Sequence, residues 1–161
     1  MEVNNMINKV ICTLISLALV VLTAVPTSAT SYLSKDETIC SIELFENGSY
    51  AVTTIKNVGH NTKGTVTKNK SYTYYDSSNV QQWMVSLTAT FSYNGSTASC
   101  TSATPSYSIN NTAWKITKAE TSISGATATG DFTAKKYVLL VPIQTVNKTL
   151  TLTCSASGIV T

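Results

Sequence analysis

The side chains able to do chemistry are few and scattered. One histidine, His60, lies between Gly59 and Asn61 in a polar stretch, where a surface position is expected. A Ser-His-Asp triad needs a histidine oriented by an acid and touching a nucleophile, and no Gly-x-Ser-x-Gly elbow is present. Glu43 and Glu46 fall on opposite faces of one β-prone run, while Glu120 and Asp131 lie in separate segments, so spacing proposes no glycosidase pair. One histidine and widely separated cysteines make no zinc ligand cluster. No catalytic residue, metal or cofactor is therefore assigned, and a hydrolase drawing on His60, Asp76, Glu120 and Asp131 stands only as a lesser alternative. The best cluster for binding is Tyr72, Tyr74, Tyr75 and Asp76. Exposed, these rings would stack on sugar faces or anchor a protein partner while Asp76 accepts hydrogen bonds. Packed across strands, they would be core, and Asp76 a turn residue.

The cysteines depend on the compartment. Lys9 precedes the apolar run Val10 to Val25, and Pro26-Thr27-Ser28-Ala29 follows with small residues suited to signal peptidase, so Met1 to Ala29 reads as an export signal. A membrane anchor is the alternative for that run, but no stop-transfer pattern follows, and no second apolar segment is expected to hold the mature chain to a membrane. Export removes Cys12 and leaves Cys40, Cys100 and Cys154 in an oxidising compartment. Cys100 and Cys154 are the preferred disulfide, because both lie on the apolar side of alternating runs. The bridge would close a loop of about 55 residues, worth about 4 kcal/mol on a chain-entropy estimate. Cys40 is then left as a buried thiol, an intermolecular disulfide, or a competitor for either partner.

Without the leader roughly 130 residues remain, enough for one domain with its own core, expected over 30–161. Only 12% of the chain is charged, the formal net charge is +3, and every basic residue is lysine. A nucleic-acid partner is not expected, since arginine forks supply the bidentate contacts to phosphate and guanine. Abundant Ser and Thr suit the solvated faces of strands.

The positioning elements follow from alternation and turn chemistry. Asn47-Gly48 separates two β-prone runs and predicts a two-residue hairpin with Phe45 opposite Tyr50 and Cys40 opposite Ile55. Residues 57–70 read as a Gly- and Lys-rich connection with one short edge strand. Tyr72 to Tyr75 begin a strand that ends at the turn Asp76 to Asn79. Trp83, Val85, Leu87, Ala89, Phe91 and Tyr93 then alternate against polar residues, the clearest strand in the chain. Asn94-Gly95 predicts a return with Phe91 opposite Ala98 and Ala89 opposite Cys100. Ala126, Ala128, Gly130, Phe132 and Ala134 alternate with polar residues, and their small side chains would let a second layer approach closely. Tyr137 to Val146 is nearly continuous in apolar residues and reads as a buried strand with Pro142 forcing an edge or bulge, turning at Asn147-Lys148. Seven to nine such strands predict an all-β, antiparallel β-sandwich. The order Cys100, Trp114, Cys154 suggests a body immunoglobulin-like in shape, although Leu152 stands where that family has its corner tyrosine.

Ser41-Ile-Glu-Leu-Phe-Glu-Asn-Gly-Ser-Tyr50, Ala89-Thr-Phe-Ser-Tyr-Asn-Gly95 with Ser99-Cys-Thr101, and Leu150-Thr-Leu-Thr-Cys154 resemble segments of small secreted proteins of unknown function from Gram-positive bacteria. The resemblance implies secretion and a β-rich fold and carries no activity or site residue. The sequence thus points to a secreted, non-enzymatic module for a glycan, a wall component or an extracellular protein. Hairpins that alternate Ser/Thr with apolar residues also resemble β-barrel stems, which makes a membrane-active protein the alternative.

Overall fold

A computed structural model describes residues 37–58 and 64–161. Residues 1–29, expected to be an export signal, and His60 lie outside the described residues. The described residues form eight strands: β1 (Glu37–Leu44), β2 (Tyr50–Asn57), β3 (Thr65–Tyr75), β4 (Gln81–Tyr93), β5 (Ala98–Ile109), β6 (Trp114–Ser124), β7 (Thr127–Val138) and β8 (Val141–Thr153). They make two antiparallel sheets, a five-stranded one in the order β1-β2-β3-β4-β5 and a three-stranded one in the order β6-β7-β8. The expected sandwich is therefore present. Each sheet is a simple meander, and no strand changes layer, so the connectivity differs from the Greek key of immunoglobulin domains.

The alternation of β4 works as read: Trp83, Val85, Leu87, Ala89 and Phe91 are all buried. From the smaller sheet, Trp114, Ala128, Phe132, Ala134, Leu150 and Leu152 complete the same core. At Gly130 the layers are closest, since a Cβ there would stand 3.4 Å from Leu87 Cβ and 2.9 Å from the Phe132 ring. One end of the core is aromatic. Tyr74 stacks on Trp83 at 5.3 Å and meets Phe45 and Trp114 at 5.4 and 5.3 Å, so rings from both layers interlock. One open flank is closed by polar contacts: Lys148 pairs with Glu43 at 3.0 Å and lies over the Tyr72 ring, and Lys70 donates to the Thr151 carbonyl. On the outer face of the larger sheet, hydroxyls pair across strands, Thr54 with Ser71, Thr67 with Thr90 and Ser86 with Ser106. This is where the Ser/Thr-rich composition goes.

Several local expectations are corrected. Residues 65–70 belong to β3, an interior strand, and not to an edge. Lys70 fits there because its long stem lets the ammonium reach the Thr151 carbonyl of β8. The first hairpin closes through Phe45 N–H to the Ser49 carbonyl and Gly48 N–H to the Phe45 carbonyl, a three-residue loop. That extra residue shifts the register, so Leu44 faces Tyr50 and Thr38 faces Ile55, and Cys40 becomes the additional residue of a β-bulge between Ile39 and Ser41. In the β4–β5 hairpin the central residues are Gly95 and Ser96, with Asn94 opposite Thr97. Phe91 consequently faces Cys100, and Ala89 faces Ala103.

The Cys100–Cys154 disulfide is also corrected: both are free thiols. Cys100 N–H donates to the Gly125 carbonyl and Cys154 N–H to the Ala126 carbonyl, so the β6–β7 turn runs between them. Each sulfur instead donates to a nearby carbonyl, that of Ser102 and that of Ser155, at 3.3 Å. Burial pushes both thiols upward in pKa, and for Cys154 the neighbouring Cys100 adds to the effect.

Candidate functional site

The four residues singled out for binding do not form one exposed cluster. Tyr72 and Tyr74 point inward and are 1% and 2% exposed, so their ring faces belong to the core. Tyr75 lies on the outer face, stacked on Tyr50 with centroids 4.9 Å apart and planes 10° from parallel. Asp76 organises the β3–β4 turn, its Oδ1 accepting from the Ser78 and Val80 N–H groups and its Oδ2 from Gln82 Nε2.

Alternation explains the split. Residues 72 and 74 share the inner face of β3, and residue 75 falls on the other. Burial raises the Tyr72 phenol well above its ordinary 10.0, with Glu43 contributing through charge and a hydrogen bond. Tyr50 and Tyr75 are raised as well, mainly by burial.

What the fold does assemble is a polar pocket of about 160 Å³ at the aromatic end of the sandwich. Its walls come from distant parts of the chain: Asn47 and Ser49 of the first hairpin, Tyr74, Asp76 of the β3–β4 turn, Gln82, Trp114, Lys136 and Gln144. A shallower groove beside it continues past Val80 and Gln81 to Asn110, Asn111 and Thr112.

Two hydrogen-bond chains set the polar atoms. In the first, Gln144 Nε2 donates to the Tyr74 hydroxyl at 3.3 Å, that hydroxyl and Ser49 Oγ are 2.7 Å apart, and Ser49 Oγ donates to Asn47 Oδ1 at 2.5 Å. Because Asn47 Oδ1 only accepts, the Ser49 proton points to it, and the Tyr74 proton points to Ser49. In the second, Asn111 Nδ2 donates to Gln82 Oε1 at 2.7 Å, and Gln82 Nε2 donates to Asp76 at 2.8 Å. Trp114 provides an apolar wall, and Lys136 is the cation.

The arrangement suits recognition of hydroxyl and amide groups. Ser49 Oγ hydrogen-bonds to a tyrosine hydroxyl and an asparagine oxygen, and among the described residues to no imidazole or carboxylate. Among the described residues no group of three or more His, Cys, Asp or Glu side chains is placed to hold a metal ion. Glu120 and Asp131, distant in sequence, do meet: they are direct cross-strand partners on β6 and β7, with Lys118 between them at 3.6 and 3.9 Å. They stand on the outer face of the smaller sheet, away from the pocket and groove described above. The pocket residues other than Tyr74 and Asp76 escaped sequence reasoning, because no local motif links a turn asparagine to a glutamine almost a hundred residues later. Among the described residues no helix is long and apolar enough to cross a membrane. No family model, curated protein or solved structure matches the chain.

Proposed function

We propose that the protein is a secreted, non-enzymatic binding module that takes a neutral, hydroxylated ligand, a glycan of the cell wall or its surroundings, in the polar end pocket. The observation that carries this reading is the ordered chain Gln144–Tyr74–Ser49–Asn47, which fixes donors and acceptors on a wall next to an indole. Pre-oriented amides and hydroxyls hold sugar hydroxyls without reorganising. Lys136 adds a charged donor, while Asp76, its oxygens engaged by the β3–β4 turn, holds Gln82 in place.

The export signal supplies the compartment in this reading, and the resemblance to small secreted Gram-positive proteins agrees with it. A glycan array followed by calorimetry tests the proposal. Tyr74→Phe and Gln144→Ala should each weaken a captured glycan about tenfold, the equivalent of about 1.4 kcal/mol. A blank array, or affinity unchanged in both variants, would remove this reading.

A further inference from the structure

The β7–β8 hairpin ends in a turn made of the wrong residues. Val138 pairs with Val141, leaving Leu139 and Leu140 as the two central residues, with φ of 47° and 70°. Positive φ at both positions is the signature of a type I′ turn, for which Asn-Gly, Asp-Gly or Gly-Gly is strongly preferred. A leucine in that region is conformationally disfavoured. The side chains gain nothing by packing, since Leu139 is 93% and Leu140 87% exposed, and Val138, Val141 and Ile143 are exposed beside them. Strain that persists without an internal reward points to a role for the residues that bear it.

Charge at the hairpin's base indicates what the tip meets. Lys115 and Lys135 stand directly opposite each other across β6 and β7, an arrangement that like charges disfavour, while Lys136 falls on the other face of β7 and lines the pocket. Lys118 and Lys148 have carboxylate partners, but among the described residues none lies within ion-pair distance of Lys115, Lys135 or Lys136. Asp76 shares the pocket with Lys136, yet both its oxygens are taken by the Ser78 and Val80 N–H groups and Gln82. Tyr137 lies between the apolar tip and the lysines, with the Lys115 ammonium 5.3 Å from its ring centre. From the end inward, the hairpin thus reads apolar, aromatic, cationic, the order in which a bilayer presents acyl chain, interface and headgroup phosphate.

We propose that the β7–β8 tip is a docking wedge for an anionic lipid bilayer. Leu139 and Leu140 enter the acyl boundary while Lys115 and Lys135 meet headgroup phosphates. The apolar run from Val138 to Ile143 is much shorter than the roughly 9–11 residues a strand needs to cross a bilayer, so the tip docks without making a channel. This surface is separate from the glycan pocket and does not depend on it.

Sedimentation of the full chain with vesicles carrying a trapped dye tests the proposal, using phosphatidylcholine alone and a mixture with phosphatidylglycerol. Binding to the mixture should be about tenfold or more stronger than to phosphatidylcholine, should weaken with salt, and should release no dye. L139N/L140G, which restores preferred turn residues, should lose about tenfold or more in vesicle affinity, and K115Q/K135Q should lose the anionic preference. No vesicle binding, equal binding by L139N/L140G, or dye release overturns the proposal. So does a dimer in size-exclusion chromatography that L139N/L140G dissolves, which would assign the tip to a second copy of the chain.

Discussion

Two hairpin ends of the same molecule are built on opposite terms. The β4–β5 turn has Gly95 at φ 89° with open space around it, and Asn94 Oδ1 accepts from the Ser96 and Thr97 N–H groups and the Thr97 hydroxyl. Backbone conformation, side-chain hydrogen bonds and solvent exposure agree there. At the β7–β8 turn two leucines adopt φ values that glycine or asparagine would take at little cost, and present their side chains to solvent. The first turn is what folding alone would choose. The second is retained against folding, which separates a structural turn from one shaped by something it touches.

The largest expected effect comes from making the second turn resemble the first. Left-handed geometry costs roughly 1–2 kcal/mol for each residue with a Cβ, so L139N/L140G should raise the free energy of urea unfolding by about 2 kcal/mol. Unchanged or lower stability would mean that the leucines are held by packing. The reverse experiment is smaller. Asn94→Ala removes three accepted hydrogen bonds at an exposed site and should cost about 1 kcal/mol, and Gly95→Ala about the same, from backbone conformation alone. A neutral outcome in both would undo the contrast from the other side.

The smallest expected difference is in pH dependence. Tyr50, Tyr72 and Tyr75 are raised from 10.0, and Cys100 and Cys154 from 9.0, chiefly by burial, so the folded protein keeps protons that the unfolded chain loses. Their contribution to stability is complete below pH 9 and declines as pH rises through 9 to 10 and beyond. None of these groups lies in either turn. Thermal melts of the wild type, L139N/L140G and Gly95→Ala should therefore fall along parallel curves above pH 9, and diverging curves would reveal coupling between a turn and the core.

Much of the architecture was legible in the chain. The unbroken alternation of Trp83 to Phe91 identified β4 and its buried face, the small residues around Gly130 marked the close approach of the layers, and Pro142 does sit at a register shift in an edge strand. The errors share a cause. The apolar run Tyr137 to Val146 suggests one buried strand, because apolar residues ordinarily leave water, with a turn at Asn147-Lys148; instead the chain reverses at Leu139 and Leu140, and Asn147 pairs with Thr133 inside β8. Asn-Gly pairs located two hairpins correctly yet misplaced their central residues, which was enough to change the partners of Cys40 and Cys100.

The sequence by itself determined the periodicities, and with them an all-β body and the identity of most core residues, because burial of alternate side chains is a local consequence of strand geometry. Only the tertiary structure decided which polar groups converge and which reactive groups stay apart. Gln144 reaches Tyr74 and Ser49, Glu120 faces Asp131, and the β6–β7 turn passes between Cys100 and Cys154. Such meetings depend on loop lengths, bulges and the packing of one layer on the other, and a shift of a single residue in any of them moves a side chain to the opposite face.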